Sequence, residues 1–115
     1  MRLTLMVAVL CCTVMPMNSL AADFTRLPGS NSGEAVMLAT GRLMLDDEKK
    51  FESQTQNIQR ATVVLQSPGG NLIAGLEIGK IIRAKNFNTL VPGSSMCASA
   101  CALAWLGGVA CTRFG

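Results

Sequence analysis

The chain has 115 residues, half of them hydrophobic and 15% charged, with a formal net charge of +3. That length suits one small domain rather than two, and the apolar content excludes a disordered chain. Ten basic residues are scattered with no stripe among them, and with no tyrosine and a single tryptophan neither a nucleic-acid surface nor an aromatic recognition surface is indicated.

The chain opens with "MRLTLMVAVLCCTVMPMNSLAADF". Arg2 precedes an apolar run from Leu3 to Met15, and Pro16, Asn18 and the small residues of "SLA" follow. A positive end, a short apolar core and a small-x-small site make a secretory leader. The run falls short of the ~20 residues that span a bilayer. Residues 1–21 are therefore expected to be removed by cleavage after Ala21, with the bond after Ala22 as the other option. The mature chain keeps no stable membrane span and works in an oxidising compartment, a bacterial periplasm. Cys11 and Cys12 leave with the leader, and Cys97, Cys101 and Cys111 remain.

Residues 22–34, with "LPGSNSG", read as an irregular lead-in. Residues 35–115 form the domain. Ala35 to Met44 is a predicted strand, bent near Gly41. In "DDEKKFESQTQNIQR", Asp46 can cap a helix whose first turn carries Asp47 and Glu48, with Phe51, Thr55 and Ile58 on one face. Thr62 to Gln66 is a short β-branched strand stopped by Pro68-Gly69-Gly70. Asn71 caps the next helix, in which Leu72, Leu76, Ile78, Ile81 and Ile82 supply apolar surface and Glu77, Lys80 and Arg83 face water. Gly75 and Gly79 would let a neighbouring element approach closely. "FNTLVPG" is a third strand, a last helix runs from about Ala98 to Leu106, and "GGVACTRFG" begins a further element. Strands alternating with helices define an α/β fold with a largely parallel sheet.

Two loops at C-terminal strand ends, where parallel sheets place their sites, carry unusual chemistry. In "QSPGGN" the diglycine permits backbone at positive φ and clears side chains from the N–H groups. It lacks the spacing of a phosphate loop or a dinucleotide fingerprint. In "CASACALAW", Ser99 falls near a helix start, where unpaired N–H groups carry partial positive charge. Its hydroxyl could attack a carbonyl while the Ala100 N–H holds the oxyanion. A plain strand-to-helix turn and a serine cap are the alternatives. Together, the loops make two halves of an acyl-transfer site.

"VVLQSPGGNLIAGLEIGKIIR" followed by "CASACALAWLGG" resembles the Clp protease proteolytic subunit and its crotonase-like relatives, closest to a secreted bacterial branch with a cysteine on each side of the serine. The resemblance spans Ala35 to the end. It implies parallel β-β-α spiral units, here a partial set, in a homo-oligomer of trimers or stacked rings. It also implies a peptide or protein substrate hydrolysed through an acyl-enzyme, with no cofactor. Ser99 takes the nucleophile's position, Gly69 and Gly70 the diglycine that supplies one oxyanion N–H, and Ala100 the position that supplies the other.

The family's triad adds a histidine base and an acid downstream of the serine. This sequence has no histidine, so the chain as given is expected to lack peptidase turnover, as a truncated or partial gene product would. Lys80 and Lys85, and less readily Lys49 and Lys50, are candidate substitutes, but a catalytic lysine needs burial. Cys97, Cys101 and Cys111 allow one disulfide in any of three pairings. A metal site is disfavoured by the absence of histidine, and CxxxC spacing disfavours a redox site. The sequence fits a secreted serine-peptidase homologue, a non-catalytic periplasmic binding or assembly module, or a thioester-handling enzyme of the wider superfamily.

Overall fold

A computed structural model describes residues 21–28 and 33–114. The expected leader lies outside them except for Ala21. Five strands and three helices follow in the order β1 (Asp23–Leu27), β2 (Ala35–Thr40), α1 (Asp47–Thr55), β3 (Ala61–Gln66), α2 (Leu72–Ala84), β4 (Asn88–Val91), α3 (Ala100–Trp105) and β5 (Cys111–Arg113). The protein is a mixed α/β molecule with one mostly parallel sheet.

The strands lie side by side in chain order, β1-β2-β3-β4-β5. β1 runs antiparallel to β2, and every later pair is parallel. A helix separates each pair of parallel neighbours, as a parallel connection requires. Crossovers of one hand along such an order bring the helices to one face of the sheet, and burial follows. Ala35, Met37 and Ala39 on β2, Ala61, Val63 and Leu65 on β3, and Val91 on β4 are buried with Phe51, Ile78, Ile82 and Ala104 from the helices. The alternating residues Val36, Leu38, Thr62, Val64 and Leu90 are half-buried on the other face.

Several expectations change. The lead-in contains β1, whose five residues bury only Phe24. Phe24 meets the Phe51 ring edge-on at 5.3 Å between centroids, and one aromatic anchor plus the pairing with β2 suffices to hold an edge strand. β2 ends at Thr40, because Gly41 turns to φ 92°. Leu43 continues only as an isolated bridge to Gly70.

Asp46 does not cap α1 with its side chain; it sits in the left-handed region at φ 73° and pairs with Lys49 at 3.2 Å. Asp47, one residue later, is the buried acid, and its Oδ2 accepts from Met44 N at 2.8 Å and Ala22 N at 3.2 Å. Phe51 and Thr55 are buried on one face of α1 as their spacing requires, and Ile58, expected on the same face, is buried beyond the end of the helix. Asn71 does cap α2, its Oδ1 accepting from Ala74 N at 2.9 Å.

The buried stripe of α2 is Ala74, Gly75, Ile78, Gly79 and Ile82. Leu72 and Leu76, expected inside, are 58% and 46% exposed. The glycines take that face because α3 approaches too closely for larger residues. A Cβ on Gly75 would lie 2.2 Å from Ala100 O, and one on Gly79 would lie 2.7 Å from Leu103 O. α3 itself starts at Ala100 rather than Ala98. No helix among the described residues is long and apolar enough to cross a membrane.

Candidate functional site

The two loops singled out in sequence meet in space. β3 and β4 remain side by side beyond their last paired residues: Ser67 N donates to Met96 O at 2.7 Å, and Ala98 N donates to Ser67 O at 3.2 Å. This short parallel extension carries the chain into Pro68-Gly69-Gly70 on one side and Ser99 on the other.

The diglycine loop is splinted from its far side by Leu43. Leu43 N donates to Gly69 O at 2.8 Å, and Leu43 O accepts from Asn71 N at 2.8 Å. Gly69 and Gly70 lie at φ 100° and 136°, backbone that side chains disfavour. Contact is equally restrictive: a Cβ on Gly69 would stand 2.6 Å from Ala98 O and 3.0 Å from Ser99 Cβ, and one on Gly70 would stand 2.1 Å from Leu43 O. Both glycines are required by close backbone approach as well as by φ.

Ser99 is exposed at the entry to α3. Its backbone is at φ 54° and ψ −118°, and its side chain makes no cap hydrogen bond, so a helix-capping role does not describe it. Such a conformation normally belongs to glycine in a tight turn. A serine held on a strained strand-to-helix turn, with its hydroxyl outward, is the arrangement called a nucleophile elbow. Immediately behind it, Ala100 and Ala104 are fully buried against α2, which fixes the turn to the core.

The backbone donors divide unequally. Gly69 N donates to Ser67 Oγ at 3.1 Å and is committed. The N–H groups of Gly70 and Ala100 have no hydrogen-bond acceptor among the described residues; the second is an unpaired donor of a helix start. Of the two glycines, Gly70 is therefore the one with a donor to offer. Sequence reasoning missed Ser67, a buried hydroxyl that closes the turn. A serine two residues before a glycine is a recognised turn signal and would have pointed to it. Leu43 was also missed, since nothing local marks a residue that acts through its backbone.

Cys97 and Cys101 are disulfide-bonded across Ser99, with their Cα atoms 5.1 Å apart. Cys111 is a free, exposed thiol, with Sγ 3.1 Å from Trp105 O. The four lysines are engaged elsewhere. Lys49 pairs with Asp46, Lys50 with Asp47 and Lys80 with Glu77; Lys85 donates to Thr55 O at 3.0 Å. An open groove of roughly 290 Å³, lined by Gln66, Ser67, Pro68, Ser95 and Met96, runs beside the two loops. Among the described residues no group of three or more acidic, cysteine or histidine side chains could hold a metal ion.

Comparison with protein-family models, with curated proteins and with solved structures found no match to this chain.

Proposed function

We propose that the protein is an exported homologue of the Clp-like serine hydrolases of the crotonase-like superfamily, with Ser99 at the nucleophile's position and the N–H groups of Gly70 and Ala100 as the oxyanion donors. One observation carries this reading: the strained, outward-facing Ser99 stands directly against the diglycine loop, so that a Cβ on Gly69 would lie 3.0 Å from Ser99 Cβ and 3.3 Å from Ala100 N. A hydroxyl and two uncommitted backbone donors can bind an acyl group and stabilise a tetrahedral adduct. Donors of this kind retain part of a hydrolase's acceleration even when the base is absent.

Hydrolytic turnover needs a base to take the serine proton. With no histidine in the sequence and every lysine engaged elsewhere, these 115 residues supply none. The chain therefore binds acyl or peptide groups at Ser99 without processing them rapidly, unless residues beyond it provide the base.

A peptide boronic acid tests the reading, because boron accepts a serine oxygen and becomes a tetrahedral anion that needs no general base to persist. Boron-11 resonance and intact mass are expected to show one adduct at Ser99, absent in Ser99→Ala. No adduct, or one that survives the substitution, overturns it. The lack of a base favours the second reading, a non-catalytic binding or assembly module braced by the Cys97–Cys101 disulfide. In that case, binding to a peptide partner would persist in Ser99→Ala and fall on reduction of the disulfide.

A further inference from the structure

Ala22 is buried, 1% exposed, yet it stands where the leader is expected to end. Its N–H donates to Asp47 Oδ2 at 3.2 Å, and its carbonyl accepts from Lys50 Nζ at 3.0 Å. Asp47 is itself 4% exposed, and Lys50 Nζ lies 3.5 Å from its other oxygen. A single residue is thus gripped at both ends, by an anion at its nitrogen and a cation at its carbonyl oxygen. That is the polarity a chain terminus presents: a positive α-ammonium followed by a carbonyl.

We propose that Asp47 and Lys50 form an acceptor site for the processed N-terminus of this same chain, with Ala22 as its first residue. The proposal rests on the export reading. Water adds across the Ala21–Ala22 amide under an export-associated peptidase. The C–N bond breaks, Ala21 departs as a carboxylate, and the Ala22 nitrogen gains protons to become an ammonium that pairs with Asp47. The structure also chooses between the two cleavage points open in the sequence. Cleavage after Ala22 would remove the residue that satisfies both Asp47 and Lys50, leaving a buried carboxylate with fewer partners, a costly state. Because Ala22 is buried in the folded chain, the cut precedes closure of the domain, and the new terminus docks as the protein folds.

The full 115-residue chain, expressed in an exporting bacterial host, tests this. Intact mass gives the mature N-terminus, expected at Ala22. Amine acetylation at neutral pH, read by peptide mass spectrometry, then compares the Ala22 α-amine with Lys49, a mostly exposed internal reference. A buried opposite charge in contact raises an amine's pKa by a unit or more, so the native α-amine is expected to react at least about tenfold more slowly than in denaturant, while Lys49, whose pair with Asp46 is exposed and screened by solvent, changes little. In Asp47→Asn the protection is expected to fall. Should that variant fail to fold, the pH dependence of acetylation in the wild-type chain decides: pairing moves the rise in Ala22 reactivity to higher pH than in denaturant, whereas burial alone does not. A chain that keeps residues 1–21 overturns the export reading, a start at Asp23 overturns the choice of terminus, and an Ala22 amine as reactive as in denaturant overturns the pairing.

Discussion

At the scale of single residues, two positions show how far local chemistry reaches. Asn71 was legible because a side-chain acceptor one residue before an apolar helix has few other uses. Asn71→Ala is expected to lower stability by about 1 kcal/mol, read as a shift in the urea midpoint. Ser99 was legible as a chemical group but not as a conformation. Nothing in "CASAC" announces a positive φ, and the residue that backbone preference would choose there is glycine. The strain is imposed from outside, by the buried alanines that follow and the Gly69 backbone that faces it. Ser99→Gly is therefore expected to raise stability by about 1 kcal/mol while abolishing the boronate adduct. A stabilising change that removes binding is the signature of a position held for function; a loss of stability would mean the side chain has an unseen packing role. Asp47 gives the converse lesson. Asp46 was expected to be the capping acceptor and Asp47 only a first-turn charge, but the positions of Met44 and Ala22 make Asp47 the buried acceptor.

The elements were read more accurately than their faces. All three helices and the three central strands were expected, since their apolar periodicity is set within each segment. The buried side of α2 was read in part: Ile78, Ile82 and the close approach at Gly75 and Gly79 were expected, but the exposure of Leu72 and Leu76 depends on how the later helix α3 lies across it. Small residues claim the face toward α3 and leave Leu72 and Leu76 to solvent. Gly75→Val is accordingly expected to cost about 3 kcal/mol or to prevent folding, because its side chain would meet the Ala100 backbone. Leu72→Gln is expected to stay within about 0.5 kcal/mol of wild type. Thermal unfolding of the two variants in parallel checks the ranking, and a costlier Leu72→Gln would contradict this packing. The missed strands share a different cause. β1 buries one side chain and β5 none, so both are held by backbone pairing, which leaves almost no trace in residue type.

For the molecule as a whole, the disulfide is the one covalent tie between separate segments of the described chain. It joins the end of the β4 extension to α3, on either side of the exposed serine. The loop it closes is short, so the entropy it removes from the unfolded chain is modest. Reduction is expected to cost about 2 kcal/mol, with the transition followed by calorimetry with and without a reductant. Unchanged stability would mean that the surrounding packing alone holds the loop. Boronate binding should fall more than stability does, because the elbow lies inside the closed loop and most of the core lies outside it. The α/β class and the meeting of the two loops were foreseeable from the alternation of elements. The diglycine's true neighbour on its far side was not, since Leu43 acts only through its amide and carbonyl.

The strand order has a consequence for how the molecule comes into being. Each strand pairs with the one made just before it, so no strand must be inserted between two that are already joined. A chain appearing from its N-terminus, at a ribosome or through a membrane channel, can extend the sheet one strand at a time as it arrives. Each new strand brings the preceding helix down with it. Ser99 comes late in that sequence, and its turn can take shape only after the Gly69 loop it rests against is in place. The surface against which the serine is set is complete before the serine reaches it.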